Sequence, residues 1–334
     1  MNTLIIAEAG VNHNGDIEVA KQLIVEAANA GADLIKFQSF VPSELVTPST
    51  PLADYQKDAI GGHDNQFNLI KGLELSRDEH LTLLAECKRC EIGFCSTAFD
   101  NQSLNMLASL DCLDYVKIAS GELNNLPLIR SMCRLRKPIL LSTGMSYLGE
   151  VEAAIKSIEE AGILRKHITV LHCTSAYPAP SEDINLRAME IMRMAFGVEV
   201  GYSDHSLGIE IPVAAVALGA TVIEKHFTLD RSLPGPDHAA SLEPDDFRNM
   251  VCGIRKVESA LGTGLKQPSP SEMQNRRVAR KSIVAIRPIK AGERFDDSNI
   301  GTKRPGIGIS PMCWDEILGK KASRDFDINE LIEL

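Results

Sequence analysis

The sequence predicts a closed (β/α)8 barrel followed by a small C-terminal domain, and three observations carry that prediction. Eight short apolar runs suited to strands begin near Leu4 (LIIAEAG), Asp33 (DLIKFQ), Ile92 (IGFCSTAF), Tyr115 (YVKIASGE), Pro138 (PILLSTG), Ile168 (ITVLHCT), Val198 (VEVGYSDH) and Thr221 (TVIEKHF). Between most of them lies a segment with helical period. Polar residues gather at the C-terminal end of nearly every run, the face on which a barrel of this kind assembles its chemistry. A doubly wound open sheet fits less well. No GxGxxG turn follows the first run, and the polar ends are not confined to one switch point.

The helices show their inner faces plainly, with Ile17, Ala20, Ile24 and Ala27 after the first run and Phe247, Val251, Ile254, Val257 and Leu261 after the last. Several stop at Gly and lead straight into the next strand, as in Ala30-Gly31-Ala32-Asp33 and Leu218-Gly219-Ala220-Thr221. One connection breaks the rhythm: from Ser39 to Ser76 a polar, Pro-containing excursion follows the second strand, and on a barrel it forms a lid or wall of the catalytic face. Residues 1–264 are therefore assigned to the barrel. The stretch 265–281, which contains KQPSPSEMQNRRVARK, reads as a linker. Residues 282–334, with strand-like SIVAI and IGTKRP and several Gly and Pro turns, form the second domain.

Composition narrows the function classes. With 334 residues, 44% hydrophobic, 24% charged and 5% aromatic, the chain is an ordinary globular protein. A net charge of -10 disfavours nucleic acid and anionic membranes as partners, because neutralising phosphates needs clustered Lys and Arg. An anionic small substrate then requires a locally basic pocket. No run approaches the ~20 apolar residues of a membrane span, the N-terminus lacks a signal-peptide pattern, and the expected location is cytoplasmic. Eight scattered cysteines suit reduced, buried thiols. The CxxC of Cys87 and Cys90 has no second pair and reads as a core-facing helix rather than a zinc site.

Read in order, the strand ends offer Glu8; Lys36 and Gln38; Ser96 and Thr97; Lys117, Ser120 and Glu122; Ser142 and Thr143; His172 and Thr174; Ser203 and His205; Glu224 and His226. Alternation puts Lys36 with Gln38, Ser203 with His205, and Glu224 with His226 on shared faces. His205 and His226 end consecutive strands about 4.8 Å apart, so both imidazoles can reach one divalent ion, with Asp237 nearby in PGPDH. The alternative is a pair of histidines hydrogen-bonded in a polar mouth. His172 and His238 are weaker candidates, and His13 in NHNG shapes the first loop. Lys36 and Lys117, with the hydroxyls of Thr97, Ser120, Ser142 and Ser203, make an anion cradle for phosphate or carboxylate. Equally open are a salt bridge to Glu8 or Glu122 and a Schiff-base lysine. In ASGE and STGM a Gly follows the hydroxyl, where exposed backbone N–H groups can also bind phosphate.

Taken together, AEAGVNHNGD (7–16), KFQSF (36–40), FCSTAFD (94–100), KIASGELNNLPLI (117–129), LSTGM (141–145), LHCTSAYPAP (171–180), GYSDHS (201–206), EKHFTLD (224–230), PGPDHAAS (234–241) and KRPGIGIS (303–310) resemble the sialic acid synthase family over essentially the whole chain. The resemblance implies a metal-dependent barrel with an antifreeze-like (SAF) domain, condensing phosphoenolpyruvate with an N-acylmannosamine-type sugar. It implies a domain-swapped homodimer in which each small domain covers the partner's active site. His205 and His226 then hold Mn2+, with Mg2+ or Co2+ as alternatives. Lys36, Lys117, Ser120, Ser142 and Ser203 surround phosphoenolpyruvate; Glu8, Gln38, Tyr177 and Asp237 line the sugar side; Arg304 reaches the N-acyl group from the partner subunit. Ser175 stands where some relatives carry Asn at a phosphate contact, Ala176 where others carry Glu, and Ile307 where several read KRPGNG. These departures bear on which sugar is used.

The implied chemistry starts with attack of C3 of phosphoenolpyruvate on the sugar aldehyde. Water then adds at C2, with Glu122 as its base and Glu8 as second choice, and phosphate leaves by C–O cleavage while Lys36 and Lys117 offset its charge. N-acetylmannosamine, giving N-acetylneuraminate, is the expected acceptor. The alternative is 2,4-diacetamido-2,4,6-trideoxymannose, giving N,N'-diacetyllegionaminate. From other classes come a Schiff-base aldolase using Lys36 or Lys117 and a non-catalytic sugar-binding protein.

Overall fold

Eight parallel strands, β1 (Leu4–Gly10), β2 (Leu34–Ser39), β3 (Gly93–Ala98), β4 (Val116–Ile118), β5 (Ile139–Ser142), β6 (Ile168–Cys173), β7 (Glu199–Asp204) and β8 (Val222–His226), carry the first part of the chain. They pair in the order β3-β2-β1-β8-β7-β6-β5-β4, and β3 lies beside β4 to complete the barrel. The computed structural model describes residues 2–52 and 65–334. It divides into two compact units, Met1–Gly262 and Thr263–Leu334.

The period of two sets what faces where. Ile6, Leu34, Leu140, Leu171 and Val222 fill the inside of the barrel as an apolar plug, with Leu4 and Tyr115 against it. Two residues further along the same strands stand Glu8, Lys36, Ser142, Cys173, Glu224 and Lys117, and these line the cavity above the plug. A dry floor thus supports a charged layer, which lowers the local dielectric and strengthens every charge interaction in it. Gly93 and Gly201 make room for the plug: a Cβ on Gly93 would meet Leu34 Cδ2 at 2.1 Å, and one on Gly201 would meet Leu171 Cδ2 at 2.6 Å. The outward residues, among them Ile5, Ile35, Phe37, Val170, Val200 and Ile223, bury against the surrounding helices.

Those helices follow the sequence signals. Ile17–Asn29 is capped by Asp16, buries Ala20, Leu23, Ile24 and Ala27, and is followed by Gly31 at φ 87°. Pro244–Leu261 buries Phe247, Met250, Val251 and Ile254, whereas Leu261 is exposed at its end. The excursion after β2 contains short helices Pro42–Leu45 and Gln66–Lys71; its residues 53–64 lie outside the described residues. Its apolar side chains cluster with Val11, Phe40 and Phe99 at the barrel mouth.

In the second unit, β9 (Ser282–Ala285) and β10 (Ile300–Lys303) pair antiparallel over a separate core of Ile283, Ala285, Ile289, Phe295, Ile300, Ile317, Ala322, Phe326 and Ile332. The stretch read as a linker contains a helix, Pro270–Ala279, started by a Ser269–Glu272 capping box with Pro at its first turn. Ser and Pro are loop formers and helix starters alike, and here the second role wins. All eight cysteines are free thiols; Cys87, Cys95, Cys133 and Cys173 are buried as expected, but Cys252 is exposed. No described helix is long and apolar enough to cross a membrane.

Candidate active site

A cavity of about 610 Å³ opens at the C-terminal ends of the strands. It is lined by Glu8, Lys36, Gln38, Thr97, Lys117, Ser120, Glu122, Ser142, Ser175, Tyr177, Ser203, His205, His226 and Asp237, which are all but one of the residues the sequence assigned to the reaction, the substrates or the metal. The exception is Arg304, exposed just after β10 on the second unit.

Four buried charges form the centre. Lys36 Nζ lies 2.7 Å from Glu8 Oε2 and 3.7 Å from Glu224 Oε2, and donates to Thr97 Oγ1 at 3.2 Å. Lys117 Nζ donates to Glu224 Oε1 at 3.2 Å, and so does the Ser203 hydroxyl at 2.9 Å. Of the alternatives open in the sequence, an anion cradle or a salt bridge to Glu8 or Glu122, the structure shows the salt bridge of Lys36 with Glu8. Lys117, however, pairs with Glu224 rather than Glu122, whose carboxylate accepts from the Asn125 amide at 2.6 Å. Glu224 was read as a strand-end residue and left out of the site. Its signal was present, two residues before His226 on the same face.

Burial alone would raise Glu224, but Lys117 and Lys36 outweigh it and hold the carboxyl below the usual range. Burial raises Glu8, against the pull of Lys36 and with Glu224 adding to the rise. Burial opposes the charge on Lys36, yet Glu224 and Glu8 keep its ammonium above the ordinary lysine value. Lys36 is therefore cationic, Glu224 is ionised, and Glu8 is the carboxylate that takes up a proton first. A charged Lys36 is a poor Schiff-base nucleophile, which weighs against an aldolase built on it.

The two histidines adjoin this cluster with ring centroids 5.3 Å apart. His205 Nδ1 meets the Thr174 carbonyl at 2.6 Å; a carbonyl only accepts, so Nδ1 carries the proton and Nε2 keeps its lone pair. His226 Nδ1 is buried without a hydrogen-bond partner among the described residues, 3.8 Å from Asp237 Oδ2. Burial lowers both imidazoles, and His205 depresses His226 further, so both are neutral, the form that binds a metal. Among the described residues no three His, Cys, Asp or Glu side chains assemble a metal cluster. The strand ends therefore bring together two neutral imidazoles as possible donors.

The loop that brings Asp237 in is tied to the NHN turn. Asn12 donates to the Phe227 carbonyl and to Ser241 Oγ, each at 2.9 Å, and Ser241 donates to the Asp237 carbonyl at 2.7 Å. His238 bonds Thr228 and Asn14 in the same scaffold and is a support, not a ligand. His172 faces away from the cavity because its neighbour Leu171 faces in; its Nε2 donates to the Ile184 carbonyl at 2.6 Å. Ser96 also turns outward, to Ser39 Oγ at 2.7 Å. The Gly144 amide is not a free phosphate donor, since it is spent on Ser120 Oγ at 3.0 Å.

The cavity also has an apolar wall, lined by Phe40, Val46, Leu69, Ile70, Leu73 and Phe99. The sequence predicts a wall from the excursion but not its chemistry. Paired charges and neutral imidazoles together with an apolar wall suit an anion joined to a carbonyl compound with apolar substituents.

The comparisons with known proteins agree with this geometry. The NeuB family model matches residues 23–266 and the SAF domain model residues 280–333. An N,N'-diacetyllegionaminic acid synthase of Campylobacter jejuni is 48% identical, covering 99% of this chain and 98% of its own. A protein of the same name from Legionella pneumophila is 43% identical, covering 97% and 91%. The crystal structure of an N-acetylneuraminic acid synthetase from Leptospira borgpetersenii in complex with citrate is 35% identical, with a TM-score of 0.71 over 82% of this chain and 90% of that one. The chain belongs to the NeuB family, the sialic acid synthases, and carries a C-terminal SAF domain.

Proposed function

We propose that the protein condenses phosphoenolpyruvate with 2,4-diacetamido-2,4,6-trideoxymannose to give N,N'-diacetyllegionaminate and inorganic phosphate. The observation that carries this reading is that one cavity holds two lysines, two imidazoles and an apolar wall. The sugar is the alternative reading of the sequence rather than its first choice, N-acetylmannosamine. It is preferred because the relatives at 48% and 43% identity both bear the legionaminic acid name. The wall of Val46, Leu69, Ile70 and Leu73 supports the same choice, since a methyl at C6 and a second acetamido group gain from apolar contact where hydroxyls lose water.

In this mechanism Lys36 and Lys117 hold the phosphate and carboxylate of phosphoenolpyruvate, with Ser120, Ser142 and Ser175 donating around them while Ser203 holds Glu224 in place. Ser142 Oγ is buried with no hydrogen-bond partner among the described residues, which suits it to that role. His205 and His226 would hold a divalent ion, most suitably Mn2+, which when bound supplies Lewis-acid polarisation of the aldehyde. Gln38, Tyr177 and Asp237 orient the open-chain sugar so that C3 of phosphoenolpyruvate bonds to its C1 as the C1–O π pair moves to the aldehyde oxygen, which takes up a proton from solvent. Glu122, half-buried at the rim, takes the proton of the water that adds to C2. The C2–O bond then breaks and the lysines stabilise the departing phosphate. Arg304 is assigned to the sugar's N-acyl group in the partner of a homodimer, as the family resemblance implies.

The test is kcat/KM for the two sugars with phosphate release counted. The trideoxy sugar should be favoured by about 100-fold, the discrimination an apolar pocket gives over two substituents. Equal or reversed preference overturns the assignment. EDTA should abolish turnover and Mn2+ restore it; a borohydride-trapped pyruvyl adduct would instead support the aldolase.

A further inference from the structure

Behind the two histidines, on the outer faces of the same strands, lies a second ion pair that the reaction does not use. Asp204 and Lys225 are register partners on β7 and β8, fully buried, with Lys225 Nζ 2.6 Å from Asp204 Oδ2. Alternation points them away from the cavity while Ser203, Glu224 and His226 point into it. Asp204 Oδ1 accepts from the Tyr202 hydroxyl at 3.0 Å, the Ser206 amide at 2.9 Å and the Ser206 hydroxyl at 2.7 Å. Lys225 also donates to the Ser206 carbonyl. The residues on either side of His205 are thus gripped by one carboxylate and one ammonium, and that ammonium belongs to the residue between Glu224 and His226.

We infer that Asp204 and Lys225 are positioning residues that set the separation and aim of His205 and His226; the inference rests on the reading that these histidines hold a divalent ion. A buried ion pair is a poor source of stability, because desolvation consumes most of the Coulomb gain. Its distinctive property is that all its bonds are satisfied in one arrangement only. His205 has further restraints, its ring bonded to Thr174 and its carbonyl accepting from the Ala179 amide at 2.9 Å. The His226 carbonyl likewise accepts from the Leu242 amide at 2.8 Å, but its Nδ1 has no hydrogen bond among the described residues, so the aim of its ring depends on where β8 sits, and at the end of β8 that is where Lys225 is anchored.

The test is Mn2+ affinity of the full-length chain, read from the electron paramagnetic resonance signal of the free ion, with His205→Ala as the control for site binding. Asp204→Leu/Lys225→Met removes both charges and keeps an apolar volume. It should melt cooperatively yet bind Mn2+ about 10-fold more weakly, as loss of a ligand-orienting partner does. Its metal-free affinity for inorganic phosphate, which reads the lysine cradle, should stay within about 2-fold, since the packing is altered only on the outer face. Ser206→Ala removes one contact and no charge, and keeps the test decisive if the double variant does not fold; it should weaken Mn2+ about 3-fold. Wild-type Mn2+ affinity in either folded variant overturns the positioning role alone. Absence of Mn2+ binding sensitive to His205→Ala in the wild type overturns the metal reading, and the positioning role with it.

Discussion

Glu224 is the residue on which the charges of the cavity balance. It receives Lys117 and Ser203 and lies 3.7 Å from Lys36, so Glu224→Ala leaves two buried ammonium groups with Glu8 as their near carboxylate. Breaking a buried pair from one side costs about 3 to 5 kcal/mol, and urea unfolding should show a loss of that order. Phosphoenolpyruvate brings negative charge back to the lysines and should restore part of it by mass action; a variant as stable as the wild type would remove Glu224 from this role. Asp237 carries a second prediction. Burial, aided by Glu8, pushes its carboxyl up to about 7 from an ordinary 3.8. Between those values the folded protein holds a proton that the unfolded chain has lost, so stability falls as pH rises through this window. In metal-free protein, Asp237→Asn should abolish this component of the slope, gaining on the wild type by about 1.4 kcal/mol per pH unit from about pH 4 to 7 and levelling off above. Parallel melting curves for the two across this range would refute it.

The loop after β5 shows how an element serves the site. A Cβ on Gly144 would lie 2.2 Å from Ser175 Oγ, 2.9 Å from Ser120 Oγ and 3.1 Å from Cys173 Sγ, so the three strand ends close on this one position. Gly144→Ala should push the two serines apart and raise KM for phosphoenolpyruvate about 10-fold, the effect of losing about 1.4 kcal/mol of anion binding, with KM for the sugar little changed. An unaltered KM would remove Ser120 and Ser175 from the phosphate cradle. The strand ends themselves were legible, because alternation is a local rule: once Ile6, Leu34 and Val222 are apolar and inward, Glu8, Lys36 and Glu224 must follow them to the same face. The same rule, applied strictly from Leu171, would have turned His172 out and Cys173 and Ser175 in. Partner choice was not legible. That Lys117 meets Glu224 and not Glu122 depends on β4 and β8 facing each other across the barrel, a relation no local pattern carries. The apolar wall of Leu69, Ile70 and Leu73 comes from an excursion whose path is set by tertiary packing on Phe40 and Phe99. The helix at Pro270–Ala279 was hidden because Ser-Pro starts helices as readily as it fills linkers.

At the scale of the molecule, the net charge of -10 says little about the cavity, where Lys36 and Lys117 face Glu8 and Glu224 and the formal sum is zero. An anion entering there is met by charges already paired, so its binding exchanges one set of ion pairs for another, and any deficit in positive charge must be supplied from outside the cluster. The proposed divalent ion is one source; Arg304, exposed on a unit with its own core, is the other that the proposal offers. If Arg304 serves the partner's cavity in a homodimer, a chain with Arg304→Ala and one with His205→Ala are each inactive as homodimers. Refolded together they should regain activity, because the mixed dimer contains one cavity with both an intact histidine pair and an incoming Arg304. Random pairing makes half of the dimers mixed and one cavity in each complete, so turnover should reach about a quarter of the wild-type value. Service of Arg304 to its own chain gives no recovery, since every cavity then lacks either the arginine or the histidine. The measurement thus separates the two arrangements by presence or absence of turnover rather than by degree.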